Sequence, residues 1–256
     1  MDFLIVGNGM FGAAIARYLA PHAEVAVVGP EARADGSGGY GAHHDEGRII
    51  GDASRDVVWS ELNRRARDGM AELDPALITR CGALTATTRD DLGAAASTGR
   101  AVTADAVRAA FPMTRFSGNE TIWYQPAAGY FSPRRYVALA IQAARDHGAA
   151  IIPGTVRALR TGATGIEAEL GDGRRLRAGA AIVASGAFAA GSDLLPVPVA
   201  LRAKSEVYAM AELDDQQAAE LAAMPCVNRT IQHPQLADLY VLPPIRYPDG
   251  RTYLKA

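Results

Sequence analysis

Gly7-Asn8-Gly9-Met10-Phe11-Gly12 is the stretch that most narrows what this chain can fold into. It follows Phe3-Leu4-Ile5-Val6, a short unbroken apolar run of the kind buried on both faces of a parallel sheet. It opens Ala13 to Ala20, rich in alanine and leucine and readable as a helix, which Pro21 and His22 break before the β-branched run Glu24 to Val28. Strand, glycine turn, helix and strand within about thirty residues make a right-handed parallel βαβ unit. In that setting Gly7 permits the tight turn, Gly9 lets the backbone approach a diphosphate, and Gly12 lets helix and strand pack closely. The free N–H groups of the first helical turn, which carries Met10 and Phe11, point at the anion.

A nucleotide fold of this type ordinarily ends its second strand in an acidic residue that binds ribose hydroxyls, about twenty residues past the turn. Gly29 stands there instead, followed by Pro30 and Glu31. Either Glu31 reaches the ribose from two residues on, or the ribose has no acidic partner. Arg33 close by would suit a 2′-phosphate, so an NADP-dependent reductase is a competing reading at this position.

Further along, residues 34–45 form a glycine-rich loop too long for a simple connector. Val57 to Leu73 has helical spacing with Pro75 behind it, and Ile78 to Thr88 turns strand-like. A second helix starts at Pro133 and runs through His147; Gly148 ends it and residues 149–152 supply a strand. Residues 156–159, 165–170 and 174–177 read as short antiparallel strands, with Gly171-Asp172-Gly173 as a hairpin turn. Residues 180–184 make another buried strand. Residues 205–211, 240–242 and 253–255 alternate or run apolar as strands do. The expected fold class is therefore α/β: a Rossmann-like nucleotide-binding domain, residues 1–79 and 134–200, interleaved with a mainly antiparallel-sheet substrate domain, residues 80–133 and 201–256, that is incomplete. The last residue, Ala256, falls in a strand, as expected of a truncated molecule or one half of a split one.

Net charge of −2 gives no electrostatic footprint for nucleic acid or an anionic membrane. No apolar run approaches the ~20 residues that span a bilayer, and no secretory leader is readable. The two cysteines, Cys81 and Cys226, are far apart in sequence without ligand-like spacing; a disulfide framework or zinc cluster is not expected, and a reducing cytoplasm fits best.

The loop Gly41-Ala42-His43-His44-Asp45-Glu46-Gly47-Arg48-Ile49-Ile50 resembles the FAD-dependent amine oxidases that include sarcosine oxidase and glycine oxidase, whose members carry a His-His or His-Tyr pair followed by Arg-Ile. Gln125 to Tyr130, Ser132-Pro133-Arg134, Ile182 to Phe188 and Tyr253-Leu254-Lys255 match the same family. The resemblance spans the chain, while the family is longer by roughly half again. It implies non-covalent FAD, since neither cysteine matches the position where a flavin is linked. It implies His44 and Arg48 facing the isoalloxazine, with His43 beside them, and Lys255 over the flavin promoting electron transfer to oxygen. Val156 would bond adenine through its backbone, and Gly186 would sit at the flavin in the strand-then-Gly-Ala-aromatic segment. The implied activity is oxidation of the C–N bond of a small secondary amine or amino acid, with hydride passing to flavin N5 and oxygen as the second substrate. Gly51 replaces a second arginine that relatives place three residues after the first, which weakens the case for a carboxylate substrate. Tyr124, Tyr208 and Tyr240 are candidate pocket or core residues, and Arg64, Arg65 and Arg67 a solvated helix face. A non-catalytic fragment, or one completed by a complementing chain, is the alternative to an enzyme.

Overall fold

The computed structural model describes all residues except 32–40, 52–55, 89–98, 191, 204–206 and 232–237. Arg33, most of the glycine-rich loop and the start of the strand expected at 205 lie outside the described residues. Two compact units result, Met1–Asp45 with Pro133–Ser205 and Glu46–Ser132 with Glu206–Ala256.

In the first unit, β1 (Phe3–Val6), α1 (Met10–Leu19) and β2 (Val25–Gly29) form the expected βαβ. In the second, β3 (Arg48–Ile50), α2 (Val57–Leu73), β4 (Ile78–Thr79), β5 (Ala83–Thr87), β6 (Arg100–Val102), α3 (Ala104–Ala110), β7 (Thr121–Gln125) and β8 (Gly129–Phe131) follow. The chain then returns to the first unit with α4 (Pro133–Asp146), β9 (Ala150–Pro153), β10 (Val156–Gly162), β11 (Gly165–Leu170), β12 (Arg175–Ala178) and β13 (Ala180–Val183). It ends in the second with β14 (Met210–Leu213), α5 (Asp215–Leu221), β15 (Cys226–Thr230), β16 (Asp238–Arg246) and β17 (Thr252–Lys255).

The first unit has three layers. Its parallel sheet runs β13-β1-β2-β9. Because side chains alternate along a strand, Ile5, Val25 and Val27 face α1 and α4 and pack with Ala16, Ala20 and Ala144. Leu4, Val6, Ala26 and Val28 face the opposite way, onto the antiparallel β10-β11-β12 layer through Val156, Ala168 and Leu170. Alanines at 13, 16, 140 and 144 are fully buried, and small residues there let the two helices lie close together on the sheet.

The second unit is built on a seven-stranded sheet in the order β14-β17-β16-β15-β5-β7-β6, antiparallel except for β15 beside β5, with a small β3-β8-β4 sheet. Leu84, Ile122 and Val227 fill one face and Ala83, Cys226, Leu242 and Ile245 the other. The stretch 46–79, assigned above to the nucleotide-binding domain, belongs to this unit, because β3 and β4 both hydrogen-bond to β8. The strand expected over 205–211 is displaced to 210–213, where its register against β17 pairs Met210 with Lys255. Pro243 and Pro244 do not end their strand: β16 continues to Arg246, and its register against β17 shifts between Leu242 and Ile245. A bulge is where a sheet tolerates residues that cannot donate a ladder hydrogen bond. Among the described residues no helix is long and apolar enough to cross a membrane, and no cluster of His, Cys, Asp and Glu could hold a metal.

Candidate functional site

Ligands of open parallel sheets bind at the carboxyl ends of the strands, and in the first unit that edge gathers the glycine turn and the ends of β2, β9 and β13. Gly7 leaves β1 with φ +112°, and a Cβ there would lie 2.5 Å from the Ala184 oxygen at the end of β13. A Cβ on Gly12 would lie 1.8 Å from the Gly7 oxygen, so α1 rests directly on the turn. Gly9 caps α1 with extended backbone and no side-chain hydrogen bond, and no acidic residue occupies the first turn. The first amides of α1 thus have no side-chain cap among the described residues, and a helix mouth of this kind suits an anion. Met10 is half-buried, while Phe11 is 81% exposed and takes no part in helix packing.

The missing acid at the end of β2 has a steric explanation. Asn8 folds back over that strand end, its Nδ2 donating to the Pro30 oxygen at 2.9 Å. A Cβ on Gly29 would come within 2.2 Å of the Asn8 side chain. Asparagine in the turn and glycine on the strand therefore go together, and Glu31 stands exposed beyond them. Gly29→Glu is expected to lower the melting temperature by several degrees, roughly 1–3 kcal/mol for an overpacked site. Adding Asn8→Gly should recover most of the loss; two additive thermal shifts would show that the residues do not compete for the space.

His43 closes over the same edge. A Cβ on Gly9 would meet its Nδ1 at 3.4 Å and one on Gly41 at 2.7 Å, so the imidazole lies against both glycines. Burial, and then the charges of His44 and Arg134, hold His43 below its usual 6.5. His43 Nδ1 and Ser185 Oγ are buried without a hydrogen-bond partner among the described residues. Ser185 adjoins Gly7, whose Cβ would lie 3.1 Å from the Ser185 Cα, and Gly186 follows with φ +56° and nothing among the described residues within 4 Å of its Cβ position. Two buried polar atoms beside a bare helix mouth fit the diphosphate and ribose of a dinucleotide. Val156 begins β10 with its side chain in the core, so its backbone alone could meet a ligand. Asn8, Arg134 and Ser185 lie within motifs read from the sequence but were given no role of their own there. Only the absent acid at Gly29 hinted at the first of them.

The depressed pKa has a thermodynamic sign. Above pH 6.5 His43 is neutral in folded and unfolded chains alike; as the pH falls below 6.5 the unfolded chain takes up the proton first, and stability is lost. The melting temperature of His43→Gln should fall less steeply than that of the unaltered protein over this range. Parallel curves would remove His43 as a source of the dependence.

The second unit holds another cluster. Lys255 is fully buried, its Nζ donating to the Gly47 oxygen at 3.1 Å. The same nitrogen stands 4.0 Å from the Tyr208 ring centre and 5.3 Å from that of Tyr240, and the two rings meet edge to face. The Arg48 guanidinium lies 5.9 Å from the Tyr208 ring. Arg48 and Lys255 thus flank one tyrosine, an arrangement that places two cations by cation–π contact. Gly47 is held from beneath by Leu242 and Ile245, and Ser132 Oγ donates to Glu46 at 2.7 Å. His44 falls in the first unit, where its backbone N–H donates to the Gly41 oxygen. A Cβ on Gly51 would lie 2.7 Å from Gln125 Oε1, so the room an arginine would need is occupied by a buried neutral amide. Tyr124 packs with Phe111 against one core cluster, 5.6 Å between ring centres, and Tyr240 packs against the other. Arg64 and Arg65 pair with Glu61 on an exposed face of α2.

Solved structures with this fold include amadoriase I of Aspergillus fumigatus, a fructosyl amine:oxygen oxidoreductase, at 15% identity and TM-score 0.76 over 99% of this chain. Amadoriase II of the same organism, a fructosamine oxidase solved with FSA, superposes at 18% identity and TM-score 0.76, also over 99% of this chain. NikD, described as an unusual amino acid oxidase essential for nikkomycin biosynthesis, superposes at 19% identity and TM-score 0.72 over 99% of this chain. The chain spans 62% of the length of either amadoriase and 68% of NikD. Comparison with curated proteins gives no match. The DAO family, described as FAD dependent oxidoreductase, matches residues 2–256. With that family's pattern along nearly its whole length, the chain belongs to the DAO family of FAD dependent oxidoreductases.

Proposed function

We propose that the first unit binds FAD non-covalently at the carboxyl edge of its parallel sheet, and that the protein oxidises the C–N bond of a small amine, secondary amines being the best fit, with oxygen as electron acceptor. The observation that carries the reading is the uncapped mouth of α1 beside His43 Nδ1 and Ser185 Oγ, both buried without a hydrogen-bond partner among the described residues. The Gly9 backbone and the first amides of α1 would hold the diphosphate, with Met10 and Phe11 contributing backbone only. Glu31 or the backbone near Gly29 would meet the ribose, the Val156 backbone the adenine, and Gly186 would leave room for the flavin. When bound, FAD supplies a two-electron acceptor for the hydrogen on the carbon beside nitrogen and returns the electrons to oxygen.

The chain's own residues would set the electrostatics around that exchange. His44 would favour the neutral amine by accepting its proton. Arg48 and Lys255, both placed by Tyr208, would stabilise negative charge developing on the oxidant side, where a buried cation acts in a low dielectric. Gly51 at the arginine's position, with the Gln125 amide filling the space beside it, favours amines over α-amino-acid carboxylates, because a neutral amide gives a carboxylate no counter-charge.

Purified protein reconstituted with FAD should lose its flavin colour under anaerobic conditions on addition of sarcosine or another small secondary amine, and regain it with peroxide release when oxygen is admitted. Bound flavin that no amine bleaches would remove the catalytic half of the proposal for this chain by itself. Binding of NADPH without flavin would favour the reductase reading.

A further inference from the structure

The second unit brings together two residues that the sequence separates widely. Cys81 and Cys226 stand with their sulfurs 3.7 Å apart and unbridged, 145 positions from one another. Their backbones are pinned: the N–H of Cys226 donates to the Gly82 oxygen at 3.0 Å, the Gly82 N–H donates to Ala128 at 2.9 Å, and β15 is paired with β5 from Cys226 onward. The sulfurs are unlike. Cys226 is wholly buried among Ala83, Leu242 and Ile245, whereas Cys81 is only half-buried. A hydrogen bond from the Cys226 thiol pushes the Cys81 thiol down from its usual value, while the same contact and burial push Cys226 up. A nucleophilic, reachable sulfur beside a buried protonated one is the division of labour between attacking and resolving thiols.

We propose that Cys81 and Cys226 form a peroxide-sensitive dithiol in which Cys81 is oxidised first and Cys226 closes the disulfide. The Cys81 thiolate attacks one oxygen of the peroxide, forming an S–O bond and breaking the O–O bond; the departing hydroxide takes up a proton and leaves as water. The Cys226 sulfur, giving up its proton, then attacks the Cys81 sulfur, and the S–O bond breaks with release of a second water. Two thiols lose two electrons and two protons, and the peroxide is reduced to water. Peroxide added in solution suffices, so the dithiol does not depend on oxidase activity in this chain. Its structural effect falls beneath the lysine cluster: the apolar residues around Cys226 include Leu242 and Ile245, which support Gly47, whose oxygen accepts from Lys255.

The full-length chain, reduced and then exposed to hydrogen peroxide, should lose the mass of two hydrogens, leave neither cysteine open to alkylation, and return to its starting mass with dithiothreitol. Because the closed loop is long, the bridged form should melt at least about 5 °C higher. Cys226→Ser should instead gain the mass of oxygen on Cys81, and Cys81→Ser should keep Cys226 unmodified over the same time. Addition of oxygen to unaltered protein without loss of two hydrogens, a bridge between two chains, or two thiols that stay reactive would each overturn the proposal. All three of these outcomes are measured on unaltered protein, so they decide the matter even where a variant fails to fold.

Discussion

Gly12→Ala should lower the melting temperature by about 10 °C or prevent folding, and should abolish flavin binding. The added Cβ would sit 1.8 Å from the backbone oxygen of Gly7, far inside van der Waals contact, and a carbonyl in a tight turn cannot rotate away as a side chain could. Relief requires α1 to lift from β1. That movement would open the layer where Ile5 and Val27 pack against Ala16 and Ala20, and would shift the amides proposed to hold the diphosphate. A cost of about 3–5 kcal/mol is in the range of severe overpacking, and each kcal/mol moves the midpoint by roughly 2–4 °C in a chain this long. Gly118→Ala is the control, since nothing among the described residues lies within 4 Å of its Cβ position; it should melt within about 2 °C of the unaltered protein. A Gly12→Ala protein that melts like the control and binds FAD would contradict the packing described for the turn.

Lys255→Met should reduce the rate at which oxygen reoxidises the reduced flavin by about a hundredfold while leaving the fold intact. Methionine keeps the apolar stem in its buried slot between Tyr208 and Tyr240. It removes the Nζ and its bond to the Gly47 oxygen. Two opposed effects act on stability: a buried polar head no longer has to be desolvated, and the Gly47 oxygen loses one donor, each worth about 1–3 kcal/mol. The net thermal shift should therefore be a few degrees at most. On the rate there is no such cancellation, because a buried cation is proposed to act on charge that appears only during electron transfer, and loss of one such group typically costs about 10²–10³. Stopped-flow mixing of reduced protein with oxygenated buffer measures this directly. Unchanged reoxidation would assign Lys255 to structure alone.

How much of this was legible in sequence follows from the range of the interactions. The βαβ start was readable because Phe3 to Val6, the three glycines and Ala13 to Ala20 carry local patterns: an unbroken strand, a turn and a helical repeat. Val57–Leu73 matched its helix to the residue for the same reason. The β3-β8-β4 sheet was not readable, since strands of two or three residues show no period and Gly129 is fixed by contact with the distant Thr79 backbone. That gap moved 46–79 into the wrong domain. Lys255 was named from resemblance, but its tyrosine cage joins residues from β16, β17 and the segment before β14, which only tertiary structure relates. Asn8 against Gly29 and Cys81 against Cys226 are pairs of this kind too. Gly29 stood out for the acid it lacks, but no local pattern tied it to Asn8, and sequence distance argued against the second pair. The strand read over 240–242 runs on through Pro243 and Pro244 to Arg246, because a bulge accommodates what a regular ladder would not.

Backbone amides at the start of α1 gripping a diphosphate are the feature on which the flavin site depends, and a flavin titration tests that grip most directly. The folded chain should quench the fluorescence of FAD on binding and be competed by ADP, whereas riboflavin, which lacks the diphosphate, should bind at least about a hundredfold more weakly. Riboflavin binding as tightly as FAD, or FAD failing to bind a chain shown to be folded, would contradict it.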